Sequence, residues 1–218
     1  MLQFLHGKVG DRKLRLFALS CVRRIMPGIF YEDHREAVDV MQRFLDGQAT
    51  AKEYEDQKAM FRQAVSGGTS LRPSLPFERA CPDLFNDDAW VAANSLIGTV
   101  ASDALVEFHA QHKNDPGYDF VRDGDNHRNA VLEMQASALR DIVGNPIHSP
   151  TLPDAWRTSI VTSLAHAIYT DRAFDRMPIL GDALEDAGCT NADILAHCRQ
   201  PGPHVRGCWV VDLVMGKD

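Results

Sequence analysis

The last thirty residues gather three of the chain's five cysteines, Cys189, Cys198 and Cys208, with His197, His204, Arg199 and Arg206, around the turn Pro201-Gly202-Pro203. Three chemistries are compatible with these residue types. Cys189, Cys198, His204 and Cys208 are soft or borderline ligands of the kind zinc takes tetrahedrally, with His197 as a fifth candidate. No Cys-x-x-Cys knuckle supports them, and the competing reading makes the cysteines small core residues at helix ends. Alternatively, a helix beginning at Pro203 would turn the free N–H groups of residues 204–207 toward a phosphate or carboxylate, with Arg199, His204 and Arg206 as binding residues. Against this, Arg206 is equally suited to pairing with Asp182, Glu185 or Asp212. Thirdly, His204 and Cys208 stand four apart, which on a helix puts a base beside a thiol. Neither an oxyanion element nor a third orienting residue accompanies them, so no catalytic residue is assigned.

The reading these residues favour is structural. The Pro-Gly-Pro turn joins two helices too short to be stable alone, and Arg199, His204 and Arg206 satisfy carboxylates or loose carbonyls around it. On that reading no cofactor is expected; zinc on Cys189, Cys198, His204 and Cys208 is the alternative. Elsewhere His109 and His112 are spaced i, i+3 near a helix end, where interaction with terminal carbonyls explains them without metal. The stretch "DPGYDFVRDGDN" lacks the alternating acids and final glutamate of a calcium loop. There is no phosphate-binding glycine loop, nucleotide fingerprint or serine nucleophile elbow.

The elements that must position these residues are helices. In "DRKLRLFALSCVRRI", Leu14, Phe17, Ala18, Cys21, Val22 and Ile25 form one apolar stripe, with Arg12, Lys13, Arg15, Arg23 and Arg24 opposite as a solvated basic face. Further helices are expected from about Glu32, from Thr50 with its capping partner Glu53, and from Asn86 or Asp87. Others cover "HRNAVLEMQASALRDIV", "DAWRTSIVTSLAHAIYTD", "PILGDALEDAG" and "NADILAHCR", where Thr190 and Asp193 suggest a cap. The last, "HVRGCWVVDLVMG", carries Trp209 as a core residue. No alternating strands are visible, so the expected fold is all-α, an irregular bundle or a short stack of helix pairs. The 218 residues are expected to form a single helical domain, with a break at 66–86 and a loop at 113–126.

A formal charge of -7 with a pI near 5.7 argues against a phosphate-neutralising surface, so no nucleic acid is expected as partner. The longest uncharged runs fall short of a membrane span, and the amino terminus has too brief an apolar patch for a signal peptide. The cytoplasm, with free thiols, is the expected compartment.

Several stretches carry a resemblance. "DRKLRLFALSCVRRI", "RDIVGNP", "RAFDRMPILGDALEDAGC", "NADILAHCR" and "GPHVRGCWVVDLVMGK" resemble a highly duplicated family of bacterial proteins to which no activity is attached. The resemblance covers about half the chain, at its two ends, and implies a helical fold without catalytic assignments. The function expected from the whole reading is a non-enzymatic helical module that binds another protein in a regulatory or scaffolding role. A metal-binding sensor or enzyme centred on the C-terminal cluster is the alternative.

Overall fold

The computed structural model describes residues 2–25, 32–66, 82–147 and 150–217; most of the expected break at 66–86 lies outside them. The fold is all-α, and no strand occurs among the described residues. We number the longer helices α1 (Asp11–Ile25), α2 (Glu32–Leu45), α3 (Ala51–Ser66), α4 (Ala89–His112), α5 (Phe120–Val143), α6 (Ser159–Asp171), α7 (Met177–Asp186), α8 (Ala192–Arg199) and α9 (Trp209–Met215). The chain divides into two compact units. One comprises residues 3–13 with 137–218, the other Leu2 with 14–136, so the divisions fall inside α1 and α5.

In the unit of residues 14–136, α2 packs on α3, and the Phe44 and Tyr54 rings stack at 4.5 Å. The expected Thr50–Glu53 box is present: Thr50 N donates to Glu53 Oε2 at 2.8 Å and Glu53 N to Thr50 Oγ1 at 3.2 Å. Helix α4 starts behind Asp88, whose carboxylate accepts from the N–H groups of Trp90 and Val91. Its 24 residues reach a mean hydropathy of 1.3 over 18 positions, so length and composition alone would let it cross a membrane. Within this unit one side of it is buried, through Ala92, Ala93, Leu96 and Val100, and 39% of the apolar window is buried in all.

Helix α5 begins at Phe120, inside the segment expected as a loop to 126. The cause is a cap: Asp119 Oδ1 accepts from Val121 N and Arg122 N, while Asp119 N donates to Asp123 Oδ2. The basic side of α1 also differs from expectation. Leu16 and Leu19 are fully buried beside the stripe. Arg15 donates to the carbonyls of Asn86 and Asp87 at 3.0 and 2.7 Å. The face is therefore largely used for internal bonds rather than solvated.

The unit that contains the C-terminus is built from four short helices around one core. Helix α7 packs on α8 and on α6, and α6 on α9. Each helix carries its own start and stop. Thr158 Oγ1 caps α6, Pro178 occupies the first turn of α7, and Asn191 Oδ1 accepts from Asp193 N and Ile194 N to open α8. The α8 cap is thus Asn191 rather than Thr190. Gly188 (φ +91°) and Gly216 (φ +67°) take the left-handed turns after α7 and α9. Buried positions follow the helical period: Val161, Ala165 and Ile168 on α6, Leu180 and Leu184 on α7. On α8 they are Ile194, His197 and Cys198, at i, i+3 and i+4. His197 thereby faces inward. Gly181 lets α8 approach closely, since a Cβ there would lie 2.9 Å from Cys198 Cβ.

Candidate functional site

The inward face of α8 delivers His197, and the chain after it delivers His204 and Cys208. His204 does not begin a helix. Gly207 stands at φ +92°, Cys208 N bonds back to Val205 O at 2.9 Å, and α9 starts at Trp209 with Cys208 at its N-cap. A left-handed residue at 207 interrupts helical geometry, which is why the expected helix from 203 is absent. The Val205 N–H is instead taken by Asp141 Oδ2 at 2.8 Å. With residues 204–207 outside any helix, the His204–Cys208 spacing is not a helical face, and no helix N-terminus gathers their N–H groups on an anion.

Asp141, in the last turn of α5, is the residue on which the site converges. Its Oδ1 lies 2.6 Å from His204 Nδ1 and 3.1 Å from His197 Nε2. Cys208 Sγ stands 3.1 Å from the same His197 nitrogen and 3.9 Å from His204 Nδ1. Among the described residues, these are the metal-ligand types that converge as a group of three or more, with their four donor atoms within 4.8 Å of one another. All four side chains are buried: 4% exposed for Asp141, 8% for His197, 5% for His204 and 0% for Cys208. Gln200 Nε2 is 3.0 Å from His197 Nδ1, while His204 Nε2 is buried without a hydrogen-bond partner among the described residues.

Electrostatics separates the two acids of this group. Burial alone would raise the Asp141 carboxyl, but the hydrogen bonds of His197 and His204 prevail and hold it below its ordinary value. The Cys208 thiol is pushed well above its usual range, first by burial and then by the Asp141 charge. A nucleophilic cysteine needs the opposite shift. The ring geometry also departs from a thiol–imidazole–carboxylate relay, in which sulfur and carboxylate take opposite nitrogens of one ring. Here both compete for His197 Nε2.

The other residues singled out from sequence sit nearby in different company. Cys189 and Cys198 are buried in the hydrophobic core of this unit, and burial lifts the Cys198 thiol to about 12. Arg199 is bound to Asp182 at 2.8 Å and Glu185 at 2.5 Å. Arg206 donates to the carbonyls of Tyr169 at 3.0 Å and Thr170 at 3.1 Å, in the last turn of α6. Asp212 pairs with Arg12 instead, at 2.7 Å. The expected corner, with Arg199, His204 and Arg206 satisfying carboxylates and carbonyls, is what these bonds describe. In the other unit, His112 Nδ1 lies 2.8 Å from Phe108 O, near the end of α4.

Sequence reasoning passed over Asp141. The signal available was positional: a carboxylate in the last turn of a helix opposes the helix dipole and needs a compensating partner.

A cleft of about 650 Å³ opens over the cluster, lined by Arg140, Asp193, Gln200 and Trp209 together with the Pro201–Pro203 turn. Trp209 packs against the core of this unit but is half-buried rather than enclosed in it, and its ring lies 5.0 Å from that of His197. Asn145, Pro146 and Trp209 also line a second cleft of about 270 Å³, with Lys8, Lys13 and Lys217. No protein-family model, curated protein or solved structure matches the chain.

Proposed function

We propose that the chain is a non-enzymatic helical module of the bacterial cytoplasm that binds another protein, in a regulatory or scaffolding role, through the cleft over Asp141 and the two histidines. The observation that carries this reading is the composition of that cleft. A half-buried tryptophan and an arginine, Trp209 and Arg140, line it together with Pro201 and Pro203. Tryptophan and arginine are the residue types that dominate binding energy at protein interfaces, and prolines, whose φ is set by the ring, have less freedom to lose on docking. The raised Cys208 thiol and the shared His197 nitrogen favour binding over nucleophilic chemistry. Four buried free cysteines fit a reducing compartment.

The test is affinity capture from the native cell with wild-type protein, followed by direct titration of the purified partner. Trp209→Ala and Arg140→Glu should each weaken that titration at least about tenfold, near 1.4 kcal/mol. A partner that binds both variants as tightly as the parent would remove the cleft from the interface. The metal-dependent alternative is favoured by a separate observation, the convergence of four donor atoms beneath the cleft.

A further inference from the structure

We infer that Asp141, His197, His204 and Cys208 form a binding site for one zinc-class divalent cation, held by Asp141 Oδ1, His197 Nε2, His204 Nδ1 and Cys208 Sγ. Four donors from three separate parts of the chain meet here: the end of α5, the inner face of α8 and the segment entering α9. A tetrahedral zinc site with bonds near 2.0–2.3 Å has ligand–ligand edges of about 3.3 to 3.6 Å. Four of the six donor spacings, 2.6, 3.1, 3.1 and 3.9 Å, lie within about 0.7 Å of that range and all six lie within 4.8 Å, so side-chain adjustment is enough to bring the four onto one ion.

The same four groups make a poor hydrogen-bond network. Asp141 Oδ1 and Cys208 Sγ both approach His197 Nε2 at 3.1 Å, although that nitrogen offers either one proton or one lone pair. A cation at the centre engages all four donors at once. On binding, the Cys208 thiol releases its proton to solvent, and the thiolate and the carboxylate together neutralise a divalent charge. That leaves a buried site with no net charge, which neither a monovalent nor a trivalent ion achieves.

The donor set selects the ion. A thiolate and two imidazoles exclude magnesium and calcium, which take oxygen ligands, whereas zinc accepts nitrogen, sulfur and carboxylate together. The surroundings supply an outer shell. Val205 N–H fixes Asp141 through Oδ2 at 2.8 Å. The Gln200 amide, 3.0 Å from His197 Nδ1, orients that ring once its oxygen is turned to accept the N–H. The ligand set differs from the cysteine-rich one suggested by sequence: Asp141 and His197 stand in it, and Cys189 and Cys198 do not.

Cobalt(II) and zinc titrations of the purified full chain, first stripped with a chelator, test the assignment. One cobalt per chain is expected, with the visible bands of a tetrahedral ion and the ultraviolet charge-transfer intensity of a single thiolate, all displaced by one equivalent of zinc. Cys208→Ser should remove the charge-transfer band, and His197→Ala and His204→Ala should each weaken zinc at least a hundredfold. Cys189→Ser and Cys198→Ser should bind as the parent does. The wild-type cobalt spectrum needs no variant, so it decides the matter even if a substitution prevents folding. An octahedral spectrum, the intensity of two or more thiolates, substoichiometric binding at micromolar metal, or loss of the site on removing Cys189 or Cys198 would overturn it.

Discussion

Gly144 ends α5 three residues after Asp141, at φ +66°, and an added Cβ would lie 2.8 Å from Trp209 Cγ and 3.0 Å from Cδ2. Gly144→Ala therefore perturbs the helix end that presents Asp141 and the wall of the cleft together. A non-glycine residue in the left-handed region costs about 1 to 2 kcal/mol. Overpacking against the Trp209 ring adds about 1 to 3 kcal/mol. Reduced freedom of the unfolded chain returns about 0.4 to 1 kcal/mol. The terms sum to a loss of about 1 to 4.6 kcal/mol, and the sign is destabilising because the smallest summed cost, about 2 kcal/mol, exceeds the largest gain, about 1 kcal/mol. Gly98→Ala is the internal control. Gly98 lies within α4 with ordinary φ and open space at its Cβ, so alanine there should stabilise by about 0.5 to 1 kcal/mol. Urea unfolding followed by circular dichroism and tryptophan fluorescence measures both. A Gly144→Ala midpoint equal to or above the parent's would refute both the left-handed turn and the contact with Trp209.

Three further outcomes follow from particular bonds. Burial lifts the Cys21 thiol to about 12 against an ordinary 9.0, so the folded protein holds this proton more tightly than the unfolded chain. That contribution is complete below about pH 9 and fades as pH rises toward 12, by up to about 1.4 kcal/mol per pH unit; urea titrations at pH 8 and 10.5 should show a fall that is shallower in Cys21→Ala. Asn191→Ala removes the cap of α8 and should cost about 1 kcal/mol in the same assay, and an unchanged midpoint would mean that α8 does not depend on this cap. Arg206→Ala strands the carbonyls of Tyr169 and Thr170 and should cost about 1 to 2 kcal/mol, whereas exposed Arg199→Ala should cost under about 1 kcal/mol; the reverse order would contradict the bonding described.

Much of the helical frame was legible because its signals are local. Pro178 at the start of α7, Gly188 after it, and the Thr50–Glu53 box each act within a few residues and appear where the sequence places them. The site was only half legible, since its donors meet through tertiary packing. The four-residue spacing of His204 and Cys208 suggests one helical face, but Gly207 and the Asp141–Val205 bond hold that segment out of a helix. His197 was visible as a candidate, yet its burial depends on the i, i+3, i+4 face of α8 packing against α7. Asp141 is more than fifty residues from any of them in sequence. Trp209 misled for a similar reason: an apolar neighbourhood in sequence does not reveal that a cleft opens beside it.

The most direct measurement is X-ray absorption at the zinc edge on the zinc-loaded full chain. One sulfur near 2.3 Å and three nitrogen or oxygen neighbours near 2.0 to 2.2 Å are expected for Asp141, His197, His204 and Cys208. Two or three sulfur neighbours, or a six-coordinate shell of oxygen and nitrogen, would contradict the assignment.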